Sequence, residues 1–208
     1  MTRSVKKDFF GQLITSTHKH GFRAIWLLCA ALLAGPARAE ALDGGPFVPT
    51  PQPVVDAMLK LAGVTARDMV VDLGSGDGRI VLTAARVHGA RGRGVELDAE
   101  LVESSNAEAK RSGLAERVRF VQADVVKADI RDATVVTVYL LPDMMRQLRD
   151  KFLNELKPGT RIVSHDFDFG DNWFPDKRLV IDLEEKYGIP GADTSTVLLW
   201  TVPEPRRR

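Results

Sequence analysis

Hydrophobic positions along this chain follow two alternating spacings. Short runs of β-branched and other apolar residues predict strands, and apolar residues three or four positions apart predict helices. The predicted strands cover residues 69–73, 94–97, 118–122, 134–141, 161–164, 179–183 and 196–202. The predicted helices cover residues 51–62, with Thr50 as the N-cap, and then 79–87, 99–112 and 142–156. This alternation indicates a parallel sheet covered by helices on both faces, with the last two strands as an antiparallel edge.

A glycine-rich turn follows the first predicted strand and opens the next helix. It reads Gly-Ser-Gly-Asp-Gly over residues 74–78 (the glycine turn). Glycines at every second position let the backbone pass close to a ligand, because they have no side chain and tolerate positive φ. The helix N-terminus behind the turn offers unpaired N–H groups that attract negative charge. An acid, Asp72, stands at the strand end just before the turn.

Three classes of ligand use such turns, and the flanking residues separate them. A nucleoside-triphosphate loop requires Gly-Lys-Ser or Gly-Lys-Thr, and neither follows Gly78. A dinucleotide loop requires G-x-G-x-x-G, but Arg79 stands where the third glycine belongs, and Asp72 would repel a pyrophosphate. S-adenosylmethionine carries an ammonium and a sulfonium, which an acid at the strand end suits. Glu96, at the end of the second strand, can accept hydrogen bonds from ribose hydroxyls in either of the last two classes.

The pattern D-x-G-x-G-x-G over residues 72–78 resembles the first motif of the class I methyltransferases. Residues 47–51 (the lead-in segment), 71–81 and 155–164 are also similar to a small family of lysine methyltransferases. Mitochondrial members of that family modify the c-subunit of ATP synthase and the adenine nucleotide carrier. The resemblance covers about residues 46–202.

The resemblance implies an α/β, Rossmann-like doubly wound fold, with a mostly parallel seven-strand sheet and an antiparallel C-terminal strand pair. It also implies an S-adenosylmethionine-dependent methyltransferase whose acceptor is a protein lysine. In the family, an acid after the third strand meets the adenine amino group, and Asp124 matches that position. The implied cofactor-binding residues are Thr50, Asp72, Gly74, Ser75, Gly76, Gly78, Glu96 and Asp124.

The candidate catalytic residues come at the ends of the fourth and fifth predicted strands. Methyl transfer is an in-line displacement, so the protein must align the acceptor and exclude water, and an acceptor amine must first lose its proton. Tyr139 either lines the methyl site or packs as a sheet residue. His165 and Asp166 either help to remove the proton or form a polar rim. No third ligand accompanies them, so we predict no metal site.

Two alternative functions stay open at the level of sequence. The acceptor of such a methyltransferase can be a small molecule or a nucleic acid. However, residues 139–142 read Tyr-Leu-Leu-Pro and lack the Asn/Asp-Pro-Pro-Tyr motif of base-modifying enzymes. From residue 40 onward acidic residues outnumber basic ones, which argues against nucleic acid as a partner. The other alternative is a non-catalytic exported module that binds the cofactor or a partner.

The first 39 residues have the layout of a secretory signal peptide. Residues 1–23 are basic, residues 24–35 are apolar, and Ala37-Arg38-Ala39 is a small-x-small cleavage pattern. As a helix the apolar run is about 18 Å long, which is too short for a hydrocarbon core of roughly 30 Å. Cleavage after Ala39 also removes Cys29, the single cysteine of the chain, and this suits an oxidising compartment.

These observations predict the domain organisation and the location of the protein. The signal peptide or targeting segment occupies residues 1–39, a linker 40–49, the methyltransferase domain 50–203 and a basic tail 204–208. We expect a periplasmic protein, or one attached to the inner membrane by its N-terminal segment, which is its only expected membrane contact. The cytoplasm stays open as a location, because the cofactor is made there.

Overall fold

The computed structural model describes residues 47–184 and 193–204. In this part of the chain the helices are α1 (Gln52–Leu61), α2 (Arg79–His88), α3 (Ala99–Arg111) and α4 (Pro142–Glu155). The strands are β1 (Met69–Leu73), β2 (Arg91–Glu96), β3 (Val118–Gln122), β4 (Val135–Val138), β5 (Arg161–His165), β6 (Lys177–Asp182) and β7 (Thr194–Thr201). The predicted signal peptide, most of the linker and the end of the basic tail lie outside the described residues. Within those residues, no helix combines the length and the apolar character needed to cross a membrane.

The strands form one seven-stranded sheet in the order β3-β2-β1-β4-β5-β7-β6. Strands β1 to β5 run parallel, and β7 runs antiparallel to both of its neighbours, β5 and β6. The predicted α/β fold, with a mostly parallel sheet and an antiparallel C-terminal pair, is therefore confirmed. The chain winds outward from β1 to β3 and then returns to β4 on the other side of β1. This reversal opens a crevice at the carboxyl ends of the strands, where ligands of such sheets bind.

Strand β2 begins at Arg91, three residues earlier than predicted. Its opening sequence, Arg-Gly-Arg-Gly, has little strand propensity, which explains the late prediction. The side chains that pack against β2 require the two glycines. A Cβ on Gly92 would lie 2.5 Å from Cγ1 of Val81, and one on Gly94 would lie 2.3 Å from Cδ1 of Phe120.

Strand β4 is shorter than the predicted run of 134–141. Its last residue, Val138, pairs with Leu73 of β1 and Ser164 of β5, and the chain then leaves the sheet. The apolar residues 139–141 therefore line the carboxyl edge rather than extend the strand. The β-branched run predicted the strand correctly. It did not predict the residue at which pairing with β1 and β5 stops.

Helix α1 starts at Gln52, with Pro51 at the N-cap and no side-chain hydrogen bond to the first turn. The prediction that Thr50 caps this helix is therefore wrong. The Thr50 hydroxyl lies 3.2 Å from Nδ1 of His165 instead, a contact between residues 115 positions apart. A tertiary partner has replaced the local one that the sequence favours.

The sheet is buried on both faces, as its central parallel strands require. On one face, Val71 and Leu73 of β1 pack with α4 residues such as Phe152. On the other face, Val70 packs with α1 residues such as Met58. This alternation along β1 follows from the two-residue period of a strand. The two cores hold the carboxyl ends of the strands in fixed positions.

A polar cluster closes the amino edge of the sheet. Asp68, just before β1, accepts hydrogen bonds from the hydroxyls of Thr134 and Thr65, at 2.8 and 3.0 Å, and forms an ion pair with Arg161. Arg161 also donates to the carbonyl oxygen of Ala62 at 2.7 Å. Burial alone would raise the pKa of Asp68, but these hydrogen bonds and the guanidinium hold it below its usual range.

Candidate active site

The predicted site residues lie along one edge of the sheet. Asp72 is the penultimate residue of β1, Glu96 ends β2, and His165 ends β5. Asp124 follows β3 by two residues, and Tyr139 follows β4 directly. Because these strands run parallel, all five residues come at the edge that holds the crevice. The ends of β1, β2 and β3 form its donor half, and the ends of β4 and β5 form its acceptor half.

The glycine turn needs glycine for its backbone angles and for space. Gly74, Gly76 and Gly78 have φ values of 77°, 52° and 78°, in the left-handed region that favours glycine. A Cβ on Gly74 would lie 2.7 Å from Cδ2 of Leu140, and one on Gly76 would lie 2.3 Å from Cε2 of Phe47. A larger residue would strain the turn and displace both side chains.

The first amides of the glycine turn are bonded inside the fold. The N–H groups of Gly74 and Ser75 donate to the carbonyl oxygen of Val95 at 2.9 and 3.0 Å. The Ser75 side chain faces β2, because its Oγ would lie 2.5 Å from a Cβ on Gly94. This buried hydroxyl has no hydrogen-bond partner within residues 47–184 and 193–204. At these residues the turn therefore lets a ligand approach the backbone closely. It does not offer the unpaired N–H groups that an anion site would need.

Glu96 ties the glycine turn to the start of α3. Its Oε2 accepts a hydrogen bond from the N–H of Gly76 at 2.8 Å. Its Oε1 accepts from the N–H groups of Leu97 and Asp98 at 2.7 and 3.1 Å. The carboxylate is half-buried and fixed in direction, and Oε2 retains a lone pair for a ligand hydroxyl. The ribose role predicted for Glu96 is compatible with this position.

Asp124 is also held by its own backbone. Its Oδ1 accepts a hydrogen bond from the N–H of Val126 at 2.9 Å, and its Oδ2 lies 3.4 Å from Nζ of Lys127. The carboxylate is half-buried at the outer end of the donor half. It can accept a hydrogen bond from an amino group that reaches this end of the crevice.

Asp72 is the acid with the least support from its surroundings. Its side chain is 2% exposed and accepts a hydrogen bond from the Thr137 hydroxyl at 2.7 Å. Burial, together with the nearby carboxylates of Glu96 and Asp77, raises the pKa of Asp72 to about 7, against the lowering effect of Thr137. Within the described part of the chain, no Lys, Arg or His forms an ion pair with it. A cationic ligand would therefore compensate this acid.

The donor half fits S-adenosylmethionine. Asp72 suits a cationic group, and Glu96 and Asp124 supply acceptors for hydroxyl and amino groups. The glycine turn leaves clearance between them. When bound, this cofactor supplies a methyl group activated by its positively charged sulfur. The roles of the individual residues remain predictions.

Tyr139 and His165 pack together in the acceptor half. The Tyr139 ring lies 4.1 Å from the His165 ring, at 36°, and stacks at 6.1 Å from Phe167. His165 is fully buried. Its Nδ1 lies 3.2 Å from the Thr50 hydroxyl and its Nε2 2.9 Å from that of Ser195. These contacts place the predicted proton-removing group beneath the surface, where positioning is the better-supported role.

Hydrogen bonds to the neighbouring strand β7 hold the backbone conformation of Asp166. It has a φ of 60°, which is uncommon outside glycine. Its N–H donates to the carbonyl oxygen of Thr196 at 2.7 Å, and its Oδ1 accepts from the N–H of Thr196 at 2.8 Å. Its Oδ2 also lies 3.4 Å from Nε2 of His165. No group of three metal-binding side chains occurs among residues 47–184 and 193–204.

The lead-in segment lies beside the glycine turn and is attached to it by two contacts. The Phe47 ring rests on Gly76, as the Cβ distance above shows. The carbonyl oxygen of Thr50 accepts from Nη1 of Arg79 at 2.9 Å, and Arg79 is also paired with Asp77. These contacts of Arg79 were not predicted from the sequence. The only signal was that Arg79 stands where a dinucleotide motif would have its third glycine.

Known methyltransferases are similar to this chain in sequence and in structure. A model described as the ANTKMT methyltransferase domain matches residues 72–177. The protein-lysine N-methyltransferase of Saccharolobus islandicus (strain REY15A) is 40% identical over 160 residues, which cover 76% of this chain and 94% of that protein. The ATP synthase c-subunit lysine N-methyltransferase of Xenopus laevis is 33% identical over 175 residues, which cover 84% and 75%. The crystal structure of an RNA methyltransferase from Salinibacter ruber, in complex with S-adenosyl-L-homocysteine, is 51% identical, with a TM-score of 0.68 and coverage of 77% and 97%.

The matched region begins at Asp72 and includes the glycine turn. The Salinibacter ruber structure holds the demethylated product of the predicted cofactor. The predicted cofactor and enzyme class are thereby confirmed. The chain is an S-adenosylmethionine-dependent methyltransferase and belongs to the family defined by the ANTKMT methyltransferase domain.

Proposed function

We propose that this enzyme transfers the methyl group to a lysine side chain of a protein. The charge beside the acceptor half carries the proposal. The segment 166–176, which directly follows β5, contains four Asp residues and neither Lys nor Arg. The side chains of Asp168 and Asp171 are exposed. These two carboxylates would give a local negative charge to an acceptor's path on this side of the crevice, although Lys177 and Arg178 follow the segment directly.

Such a surface attracts a cationic acceptor and repels a polyanion. A protein that presents a lysine gains favourable electrostatic steering towards it. The phosphates of a nucleic acid would be repelled, whereas nucleic-acid-binding surfaces are usually basic. The relatives from Saccharolobus islandicus and Xenopus laevis are named as lysine methyltransferases, which supports the same acceptor class.

The acceptor half also suits the requirements of an amine nucleophile. The amine must arrive neutral, because an ammonium has no lone pair for the displacement. The rings of Tyr139 and Phe167 give the crevice an apolar side, and burial against it favours the neutral amine. In this proposal Tyr139, half-buried after the end of β4, orients the amine. The protein thus contributes alignment and the exclusion of water.

Radiolabelled S-adenosylmethionine tests the proposal directly. Purified full-length protein is incubated with extract from cells that lack this chain, and the labelled fraction is hydrolysed. We expect protease-sensitive label that elutes as methylated lysine. An Asp72→Ala variant is the control, because labelling must require the donor site. Label in another amino acid, or none in protein, would overturn the proposal.

RNA is the second candidate acceptor. The Salinibacter ruber structure that is 51% identical is named an RNA methyltransferase, and this favours it. The acidic segment 166–176 argues against it. The same extract separates the two candidates, because label in RNA is removed by ribonuclease and survives protease.

We also propose that residues 1–39 direct the protein out of the cytoplasm. The basic start, the apolar run and the Ala-Arg-Ala pattern support this location. A fusion of alkaline phosphatase to the C-terminus provides the test, because this reporter is active only after export. Activity of the fusion is expected. An inactive fusion in cells that accumulate it would contradict export and indicate a cytoplasmic enzyme.

A further inference from the structure

A buried histidine links the two halves of the crevice. His165 ends β5 in the acceptor half, yet its Nδ1 lies 3.2 Å from the hydroxyl of Thr50, which belongs to the lead-in segment. On its other side, its Nε2 lies 2.9 Å from the Ser195 hydroxyl on β7. All three side chains are buried, with exposures of 0%, 4% and 1% for His165, Thr50 and Ser195. Hydrogen bonds in such a place are costly to break.

The surroundings of the ring favour one tautomer. Oδ2 of Asp166 lies 3.4 Å from Nε2, and a carboxylate attracts an N–H group and repels a nitrogen lone pair. The proton of the neutral ring therefore belongs on Nε2. Nδ1 is then an acceptor, and the Thr50 hydroxyl donates to it. Thr50 is thus held through a hydroxyl proton, a property that serine shares and valine lacks.

Thr50 is also attached to the donor half. Its carbonyl oxygen accepts from Nη1 of Arg79 at 2.9 Å, directly after the glycine turn. Three residues before it, the ring of Phe47 rests on Gly76. The lead-in segment thus contacts the donor half at Phe47 and at Thr50, and Thr50 alone of these two residues is also bonded to His165.

We propose that His165 is a positioning residue that secures the lead-in segment beside the glycine turn. The affinity for S-adenosylmethionine then depends on a hydrogen bond to the opposite half of the sheet. His165 itself touches neither the donor nor the acceptor in this assignment. The assignment goes beyond the identity of the acceptor and does not depend on it.

Two matched variants test this role, with S-adenosylhomocysteine binding to the full-length protein measured by calorimetry. Thr50→Val and Ser195→Ala each remove a hydroxyl bonded to His165, but only Thr50 belongs to the lead-in segment. We expect Thr50→Val to weaken binding about fivefold, the effect of one buried hydrogen bond. Ser195→Ala is expected to stay within about twofold of the parent, because it leaves the lead-in segment attached. Thr50→Ser keeps the donor hydroxyl and is expected to restore binding.

Replacement of the ring separates its two nitrogens. An Asn side chain places an acceptor near Nδ1, and a Gln side chain reaches the position of Nε2. His165→Asn is expected to keep the contact with Thr50 and bind within about twofold of the parent, whereas His165→Gln loses this contact and binds about fivefold more weakly. Circular dichroism confirms that each variant is folded. Because Thr50 is also an implied cofactor-binding residue, the difference between His165→Asn and His165→Gln separates loss of the anchor from loss of a direct contact. If the His165 variants do not fold, unchanged binding in Thr50→Val still overturns the assignment.

Two outcomes would overturn the assignment. Equal weakening by Thr50→Val and Ser195→Ala would mean that the bonds to His165 matter only for general stability. Unchanged binding in Thr50→Val would mean that the lead-in segment needs no such anchor.

Discussion

Two aspartates at the two ends of β1 meet opposite environments. Asp68, at the amino edge, receives two threonine hydroxyls and the guanidinium of Arg161. Asp72, near the carboxyl edge, receives a single threonine hydroxyl and lies near two other acids. The pKa of Asp68 is lowered, and the pKa of Asp72 is raised to about 7. The same residue type, four positions apart, thus stabilises the fold at one end of the strand and is destabilised at the other.

The difference distinguishes the environment of a structural acid from the environment expected of an acid that binds a ligand. A buried carboxylate that already has its cation is costly to separate from it and has little to gain from a ligand. A buried carboxylate without a cation makes the ligand-free fold less stable. A cationic ligand that pairs with it offsets that cost. The environment of each acid therefore indicates its role more directly than its position in the sequence.

Removal of the cation from Asp68 is expected to have the largest effect. Arg161→Met keeps an unbranched apolar side chain, although a shorter one, but leaves Asp68 buried without its partner, and it also leaves the carbonyl oxygen of Ala62 without its donor. We expect the free energy of unfolding to fall by roughly 3 kcal/mol. Urea denaturation measures this loss. Calorimetry at a temperature where the variant is folded should show affinity for S-adenosylhomocysteine within about twofold of the parent, and a larger change would mean that the two ends of β1 are coupled.

Removal of the charge at Asp72 is expected to have the opposite pattern. In Asp72→Asn the amide oxygen still accepts from Thr137, so the fold is kept, but a cationic ligand loses its counter-charge. We expect S-adenosylhomocysteine to bind roughly 50-fold more weakly, within the range for a hydrogen bond to a charged group. Calorimetry checks the value. Binding within about threefold of the parent would show that the acid at this position does not hold the donor.

The ligand-free enzyme should lose stability as the pH rises towards neutrality. In the range between the ordinary pKa of an aspartate and about 7, folded Asp72 keeps its proton while the unfolded chain has lost it. Deprotonation therefore favours the unfolded state, by up to about 2 kcal/mol between about pH 5 and pH 7. Urea denaturation across this range measures the slope. Asp72→Asn should flatten it, and a slope that persists in this variant would assign the effect to other groups.

Asp68 should affect stability in the reverse direction. Its lowered pKa means that its contribution is present above the ordinary aspartate pKa and is lost as the pH falls through the folded value. The two effects therefore occupy different pH ranges. In Arg161→Met, the fall in the free energy of unfolding at acid pH should become smaller. The fall as the pH approaches neutrality, which Asp72 causes, should remain.

Donor affinity should rise with pH through the same range, and this is the smallest expected effect. A cationic ligand favours ionised Asp72, whose pKa in the free enzyme is about 7, so protonation competes with binding. We expect S-adenosylhomocysteine to bind about tenfold more tightly at about pH 8 than at about pH 6. Calorimetry at the two values, with Asp72→Asn as the control, provides the measurement. An equal pH dependence in the variant would place the titrating group elsewhere.

The donor half could be predicted from the sequence because its signals are local. The glycine turn and Asp72 are adjacent, and the parallel sheet follows from the alternation of strands and helices. The acceptor half could not, because its contacts join distant parts of the chain. Thr50 meets His165 across 115 positions, and His165 meets Ser195 across 30. No periodicity in the sequence predicts such pairs. These contacts are the reason that His165 is buried.

The Phe47 ring is half-exposed and lies over Gly76 of the glycine turn, where it would have to move for a coenzyme to pass on this side. Product must leave and a fresh molecule must enter beside β1, whereas Tyr139 stands at the end of β4. A lysine nitrogen can take several methyl groups in turn, and each needs a new coenzyme. Because the glycine turn follows β1 and the proposed acceptor side lies at the ends of β4 and β5, coenzyme exchange past Phe47 would not require a docked protein substrate to leave.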